Sequence, residues 1–112
     1  MKNLLFIISC FLPIATQAYE EELLFENDQV CVSKWRVLPG ENVGQHRDEN
    51  PSVIIPLKGG LMIRIGEDGT TSEVHLPTGK AVYQETDLQL HDAINASDST
   101  VEAIMIELKA KS

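Results

Sequence analysis

Cysteine is scarce in this sequence, which has two in 112 residues. Cys10 lies in an apolar N-terminal stretch, and Cys31 lies between two valines in a strand-like run. If processing removes the N-terminal stretch, a single cysteine is left, and a single cysteine excludes an internal disulfide. We therefore expect a core held by packing and a buried, inert thiol at Cys31. Intermolecular pairing and a reactive role are the alternatives.

Basic residues are also in the minority. The chain has nine Lys and Arg against 17 Asp and Glu, for a formal net charge of −8. Such a chain is repelled by phosphate backbones and anionic membranes, so nucleic acid is a poor candidate partner. The sequence also lacks a P-loop, a Cys-x-x-Cys pair and an ordered Ser-His-Asp set. Nucleotide use, thiol redox chemistry and nucleophilic hydrolysis therefore have no support.

The longest apolar run lies within residues 1–18. "MKNLLFIISCFLPIATQA" has an early positive charge, an apolar run, and small residues at the two positions that a signal peptidase recognises, Thr16 and Ala18. The run is shorter than the roughly 20 residues that a helical membrane span needs. We expect residues 1–18 to be a cleaved signal peptide and residues 19–112 a single domain that is secreted or periplasmic. A retained anchor, a lipoprotein modified at Cys10 and a cytosolic protein are the alternatives.

Short β-like runs dominate the remaining sequence. They are rich in β-branched and aromatic residues and end at turn signals containing proline, glycine or Asp-Gly. Residues 19–25 alone are compatible with a short helical turn. Short strands at this spacing favour a β-sandwich or a small barrel. The predicted strands cover residues 29–38, 52–57, 61–66, 70–76, 80–85, 88–95 and 100–108.

Two separated motifs follow a pattern of glycines and histidines. In the first, Gly40 is followed by five residues and then by His46-Arg47-Asp48, and Gly59-Gly60 closes the next turn. In the second, the turn Pro77-Thr78-Gly79 is followed by "HDAIN", residues 91–95. In order and spacing these motifs resemble those of the cupins, which are small jelly-roll barrels.

The resemblance covers residues 27–109. "PGENVGQHRDENPSVIIPLKGG" and "HDAINASDSTVEAIMIELK" are similar to small single-domain cupins of the β-alanine degradation protein group. The resemblance implies an all-β fold, a cupin-type double-stranded β-helix (jelly-roll) barrel. It also implies a small-molecule ligand, and small cupins commonly form homodimers.

The metal-ligand set that the resemblance implies is incomplete. Cupins carry His-x-His in the first motif, whereas this chain has Asp48 at the second histidine position, and no clear acid follows at Pro51 or Ser52. His46 and Asp48 are two apart, so on a strand both point to one face, where His91 would join them. Two imidazoles and a carboxylate suit a divalent metal such as zinc, manganese or iron. The alternative is a solvated turn with no metal.

Other side chains are weaker candidates. From the family position, Gln84 and Glu85 are candidates for contacts with a ligand in the cavity. Tyr83 is a further candidate if its hydroxyl faces the pocket, and the alternative is that it packs. His75 alternates with Val74 and Leu76, which predicts a surface position. Trp35 is predicted to lie in the core.

Two functions remain open from the sequence. One is a metal-dependent enzyme, an oxygenase or isomerase that acts on a small organic compound. The other is a non-catalytic cupin that binds a small molecule without metal. The residues of the barrel alone do not decide between them, because fold does not imply function.

Overall fold

The structure, a computed structural model, describes residues 19–109, so the predicted signal peptide lies outside the described residues. No helix in this part of the chain is long and apolar enough to cross a membrane. Its strands are β1 (Glu20–Glu26), β2 (Val30–Val37), β3 (His46–Asp48), β4 (Ser52–Lys58), β5 (Gly60–Gly66), β6 (Thr71–Leu76), β7 (Val82–Gln84), β8 (Asp87–Asn95) and β9 (Val101–Leu108).

The strands form two antiparallel sheets. One sheet has the order β1-β2-β9-β4-β7, and the other has the order β3-β8-β5-β6. Strands that are distant in sequence, such as β2 and β9, are neighbours, which is the arrangement of a jelly-roll barrel. The prediction of an all-β, double-stranded β-helix fold is confirmed.

The boundaries of the seven predicted strands agree with the structure, but strands β1 and β3 were not among those predicted. Each of the seven predicted strands begins and ends within two residues of an observed strand. The short helical turn considered for residues 19–25 is wrong, because this segment is strand β1 and pairs antiparallel with β2. Glutamate and leucine favour a helix only weakly, and pairing along β2 outweighs that preference.

Alternating side chains of the two sheets enclose a cavity of about 520 Å³. On β9, Val101, Ala103, Met105 and Glu107 all line it, as expected for residues that alternate along a strand. The wall is apolar over much of its area, and Trp35 contributes to it while packing against the core, as predicted. The cavity therefore lies where the core of a closed barrel would otherwise be filled.

Cys31 lies in β2 and is 1% exposed, so its predicted burial is confirmed. It is not a free thiol in the chain that carries residues 1–18. The predicted inert thiol concerns the chain without those residues, so it stays a prediction. No role in the cavity follows, because Cys31 is absent from the cavity wall.

Candidate metal centre and ligand cavity

Strands β3 and β8 bring the three predicted metal ligands together. His46 lies directly opposite His91 in the antiparallel pair, and Asp48 lies two residues further along β3. One donor atom from each of the three side chains lies within 4.8 Å of the others. The ring centroids of His46 and His91 are 4.4 Å apart. The structure therefore brings together the three residues that the sequence singled out, and their role as metal ligands stays a prediction.

Backbone carbonyls fix the orientation of both imidazoles. The Nδ1 of His46 is 2.7 Å from the carbonyl oxygen of Gly44, and the Nδ1 of His91 is 2.7 Å from that of Gln89. A carbonyl only accepts hydrogen bonds, so each Nδ1 carries the hydrogen and donates it. In the neutral imidazole, Nε2 is then left with its lone pair available to a metal.

Gly44 takes a backbone conformation that permits this contact. Its φ of 98° lies in the left-handed region that favours glycine. Its N–H donates to Asp92 Oδ1 over 2.9 Å, which anchors the turn to β8. The Gly44 carbonyl is thereby held where the imidazole of His46 can reach it.

Asp48 lies between the two imidazoles. Its Oδ1 is 3.4 Å from Nε2 of His46, and its Oδ2 is 3.0 Å from Nε2 of His91. Two lone pairs that face a carboxylate repel it unless a proton or a cation lies between them. The donor set therefore fits a divalent cation, since two imidazoles and a carboxylate are ligands that zinc, manganese and iron accept in proteins.

The pKa of His46 reflects this geometry. Burial alone lowers the pKa, but the hydrogen bonds and negative charge around the imidazole, chiefly those of Asp48, outweigh burial. The pKa of His46 therefore lies above its usual value of 6.5. In the absence of a metal, a proton on His46 is the positive charge that Asp48 favours.

A polar network that the sequence did not predict supports the site. Gln84 of β7 donates its Nε2–H to Asp48 Oδ2 over 2.9 Å, so the five-stranded sheet holds a side chain of the other sheet. Asp87 lies 3.6 Å from Nδ1 of His91 and accepts from Arg64 over 2.8 Å. The side-chain hydrogen bond from Arg64 holds the pKa of Asp87 below its usual value. Arg64 alternates with Met62 on β5, which is the only sequence signal for its inward position.

The predicted ligand-contacting residues all line the cavity, at different depths. Gln84 is partly buried beside Asp48, whereas Tyr83, at 56% exposed, and Glu85 lie at the mouth. Whether they contact a ligand stays a prediction. His75 is exposed on β6 and is paired with Glu73 outside the cavity, so its predicted surface position is confirmed.

Comparison with known proteins places the chain in a family. It is 31% identical over 86 residues to the β-alanine degradation protein BauB of Pseudomonas aeruginosa, and the match covers 75% of this chain and 86% of that protein. The chain is a cupin. The fold of this cupin is similar to that of a cupin domain from Bordetella pertussis, with a TM-score of 0.74 and 26% identity over 87% of this chain and 99% of the other. No protein-family model matches the chain.

More distant solved structures share the fold alone. The polyketide cyclase RemF of Streptomyces resistomycificus has a TM-score of 0.59 at 17% identity, over 85% of this chain and 70% of that protein. A double-stranded β-helix protein from Methanocaldococcus jannaschii has a TM-score of 0.63 at 18% identity, over 87% and 85%. At such identities the barrel is shared, and the chemistry of this cupin must be argued from its own side chains.

Proposed function

We propose that this cupin binds a divalent metal through His46, Asp48 and His91 and a small organic molecule in the adjoining cavity. The observation that carries the proposal is the fixed orientation of the imidazoles. Both Nδ1 atoms donate to backbone carbonyls, so both Nε2 atoms are directed at one carboxylate. This arrangement is costly unless a proton or a metal cation lies between these groups, and a divalent cation can bind all three.

Three protein ligands leave coordination positions open. Zinc, manganese and iron(II) all accept two imidazoles and one carboxylate, and a bound metal would polarise a carbonyl or acidify a water. Gln84 orients Asp48, and Asp87 lies beside the Nδ1 of His91. Both contacts restrain the ligands from outside the site, as is common around metal-binding histidines.

An oxygenase or isomerase acting on a small organic compound is the catalytic form of this proposal. The support is the adjoining cavity, whose volume of about 520 Å³ and apolar walls suit a small ligand, together with the likeness to a protein of β-alanine degradation. A cupin that binds a small molecule without metal is the second candidate. It is favoured by Asp48, which stands where the family motif has a histidine and already accepts a hydrogen bond from Gln84.

We extend the proposal to location and assembly. Residues 1–18 have the composition of a signal peptide, which supports export to the periplasm or beyond. The intact mass of protein from the native host tests export, and we expect a chain that begins at Tyr19; a full-length mass would contradict it.

Leu24 and Phe25 are exposed on edge strand β1, at 46% and 53%, which supports a homodimer. Light scattering tests assembly, and we expect the mass of a dimer; the mass of a monomer would contradict it.

Metal binding is tested by calorimetric titration of zinc, manganese and iron(II) into the wild type and His91→Ala. We expect binding by the wild type that His91→Ala largely abolishes, because a three-ligand site has no spare donor. His75→Ala is the matched control, since it removes an imidazole from the outer surface. Equal binding by the wild type and His91→Ala would contradict the triad.

Asp48→His separates the two candidate functions. It restores the histidine of the family motif, and imidazole is the softer donor, so the variant of a metal protein should keep or raise affinity for zinc and nickel. If the wild type binds no metal and Asp48→His creates binding, the second candidate is correct. Elemental analysis of the protein purified from its native compartment then identifies the metal present there.

A further inference from the structure

A row of three polar side chains crosses the inner face of the five-stranded sheet beside the metal ligands. Ser52 of β4 lies opposite Gln84 of β7 on one side and opposite Glu107 of β9 on the other. All three line the cavity. Side chains directly opposite on neighbouring strands have Cβ atoms about 5 Å apart, so the three form one continuous polar row.

The polar row presents mainly hydrogen-bond acceptors. Gln84 donates its amide hydrogen to Asp48, which leaves its Oε1 as an acceptor. Glu107 accepts from Asn50 through Oε2 over 2.8 Å, which leaves Oε1. Neither remaining oxygen accepts a hydrogen bond from another side chain of residues 19–109.

Ser52 adds a hydroxyl to the polar row. The residue is 2% exposed and lines the cavity. A hydroxyl both donates and accepts hydrogen bonds. Together with the two acceptors it suits a group that donates several hydrogen bonds.

The charge at the polar row is also uncompensated. Glu107 points into the cavity and forms no ion pair with any described residue. The two arginines of the cavity wall are engaged elsewhere, Arg64 with Asp87 and Gln89, and Arg47 with the carbonyl of Leu88. A partly buried carboxylate without a cation favours a cationic ligand, because charges leaving water need an opposite charge nearby.

Below the polar row the cavity becomes apolar. The next inward row on the same strands consists of Val82, Ile54 and Met105. A ligand therefore meets acceptors and negative charge at one level and aliphatic side chains at the next. Asp48 is one hydrogen bond from Gln84, so a short molecule can contact both the polar row and the metal ligands.

We propose that Gln84, Ser52 and Glu107 form an ammonium subsite, so that the ligand of this cavity is a small primary amine with a short apolar part. The inference rests on the proposed small-molecule function and names its ligand class. It excludes simple carboxylates and phosphates as ligands held at the polar row.

The test compares n-butylamine, butan-1-ol and butyrate, which differ in charge at similar size. Each is titrated into the purified protein, first with EDTA and then with zinc, and binding is followed by two-dimensional NMR. We expect butylamine to bind about tenfold more tightly than butan-1-ol, and butyrate to bind most weakly, because hydrogen bonds to a charged group are the stronger ones. Because this comparison needs no substitution, it cannot be lost to misfolding.

Variants locate the subsite. Glu107→Gln keeps the size of the side chain and should weaken butylamine about tenfold while leaving butan-1-ol unchanged. Ser52→Ala should weaken butylamine by a smaller factor. Glu102→Gln is the control, since Glu102 lies on β9 outside the cavity, where it pairs with Arg36. It should bind butylamine like the wild type.

Several results would overturn the proposal. They are butyrate or butan-1-ol binding as tightly as butylamine, no saturable binding of butylamine, or an unchanged affinity in Glu107→Gln. Zinc affinity is measured separately on the same samples. If zinc fails to bind while the amine preference persists, the metal function is wrong and the subsite stands. If zinc binds without an amine preference, only the subsite is wrong.

Discussion

Two histidine–carboxylate pairs in this cupin have the same length and different surroundings. Nε2 of His91 is 3.0 Å from Asp48 Oδ2, and Nε2 of His75 is 3.0 Å from Glu73 Oε1. The side chains of the first pair are 5% and 18% exposed, whereas those of the second are 69% and 63% exposed. The distance from imidazole to carboxylate is therefore the same in the two pairs. The pairs differ in burial and in the other groups that contact them.

This difference in burial and contacts shows which features let a histidine–carboxylate pair serve as part of a metal site. Water screens the exposed pair, which is worth little in free energy. The buried pair has a second imidazole, a carbonyl that fixes each Nδ1, and an amide that fixes the carboxylate. Five experiments sharpen or break this comparison, from the largest expected effect to the smallest.

Removal of the central carboxylate should have the largest effect. Asp48→Ala leaves two imidazoles and no charge to neutralise a divalent cation, so we expect zinc affinity to fall more than about 100-fold, beyond the loss typical of supporting residues. Isothermal titration with zinc measures the change. Glu73→Ala, which removes the carboxylate of the exposed pair, should leave the affinity unchanged. Equal losses in the two variants would show that the buried pair has no special role.

Low pH should have the second-largest effect and weaken metal binding. A metal must displace the proton from His46, whose pKa is raised, so zinc affinity should begin to fall while the pH is still above 6.5. Below the pKa of His46 the fall is about tenfold per pH unit for each imidazole that must lose a proton. Zinc titrations between about pH 5.5 and 8 measure it. An affinity that is flat across this range would contradict coordination by His46.

The metal-free protein should show the opposite trend. The raised pKa of His46 means that the protonated form is favoured by folding. Its contribution to stability is complete below the unfolded value near 6.5 and is lost as the pH rises through the folded pKa. Denaturation in EDTA across the same range checks the sign.

Loss of the Gln84 amide that supports Asp48 should have an intermediate effect on zinc affinity. Gln84→Ala removes the hydrogen bond that orients Asp48, and we expect zinc affinity to fall about tenfold, as for other residues that orient metal ligands. The same calorimetric titration measures it. Gln29→Ala, at an exposed position before β2, is the control. A fall as large as that of Asp48→Ala would mean that Gln84 is itself a ligand.

The exposed pair should respond least. His75→Ala should change the free energy of unfolding by less than about 0.5 kcal/mol, because the pair is screened by water and buries little. Chemical denaturation with urea measures this value. A change above about 1 kcal/mol would show that the exposed pair contributes to the stability of strand β6 and that burial is not the deciding difference.

The sequence predicts the barrel better than the site, because the turns between strands are determined by local sequence. Prolines and glycines end the strands through their own backbone preferences, so the turns around Pro39-Gly40 and Pro77–Gly79 are visible without tertiary information. The helical turn considered for residues 19–25 is wrong because these residues form a strand through pairing with β2. The helix propensity of the glutamates and leucines in this edge segment favours a helical turn instead.

The site depends on register between distant strands. The approach of His46 and His91 could be predicted because both fall in family motifs. The contact of Gln84 with Asp48 could not, since it requires the pairing of β7 with β4 across the barrel from β3. Ser52 and Glu107 lie within the two stretches that resemble cupins, but nothing in the sequence links one to the other. Only the register of β4 between β7 and β9 places them together.

The stacking of Tyr19 on Trp35 gives the cavity an optical reporter. The two rings are 4.8 Å apart and inclined by 7°, and Trp35, which lines the cavity, is the only tryptophan in the sequence. The indole Nε1–H also donates to Ser33 over 2.8 Å, which fixes the ring. All tryptophan emission therefore originates from one rigid site on the cavity wall. A molecule entering the cavity changes the polarity around that indole, so its arrival can be followed by fluorescence without a label.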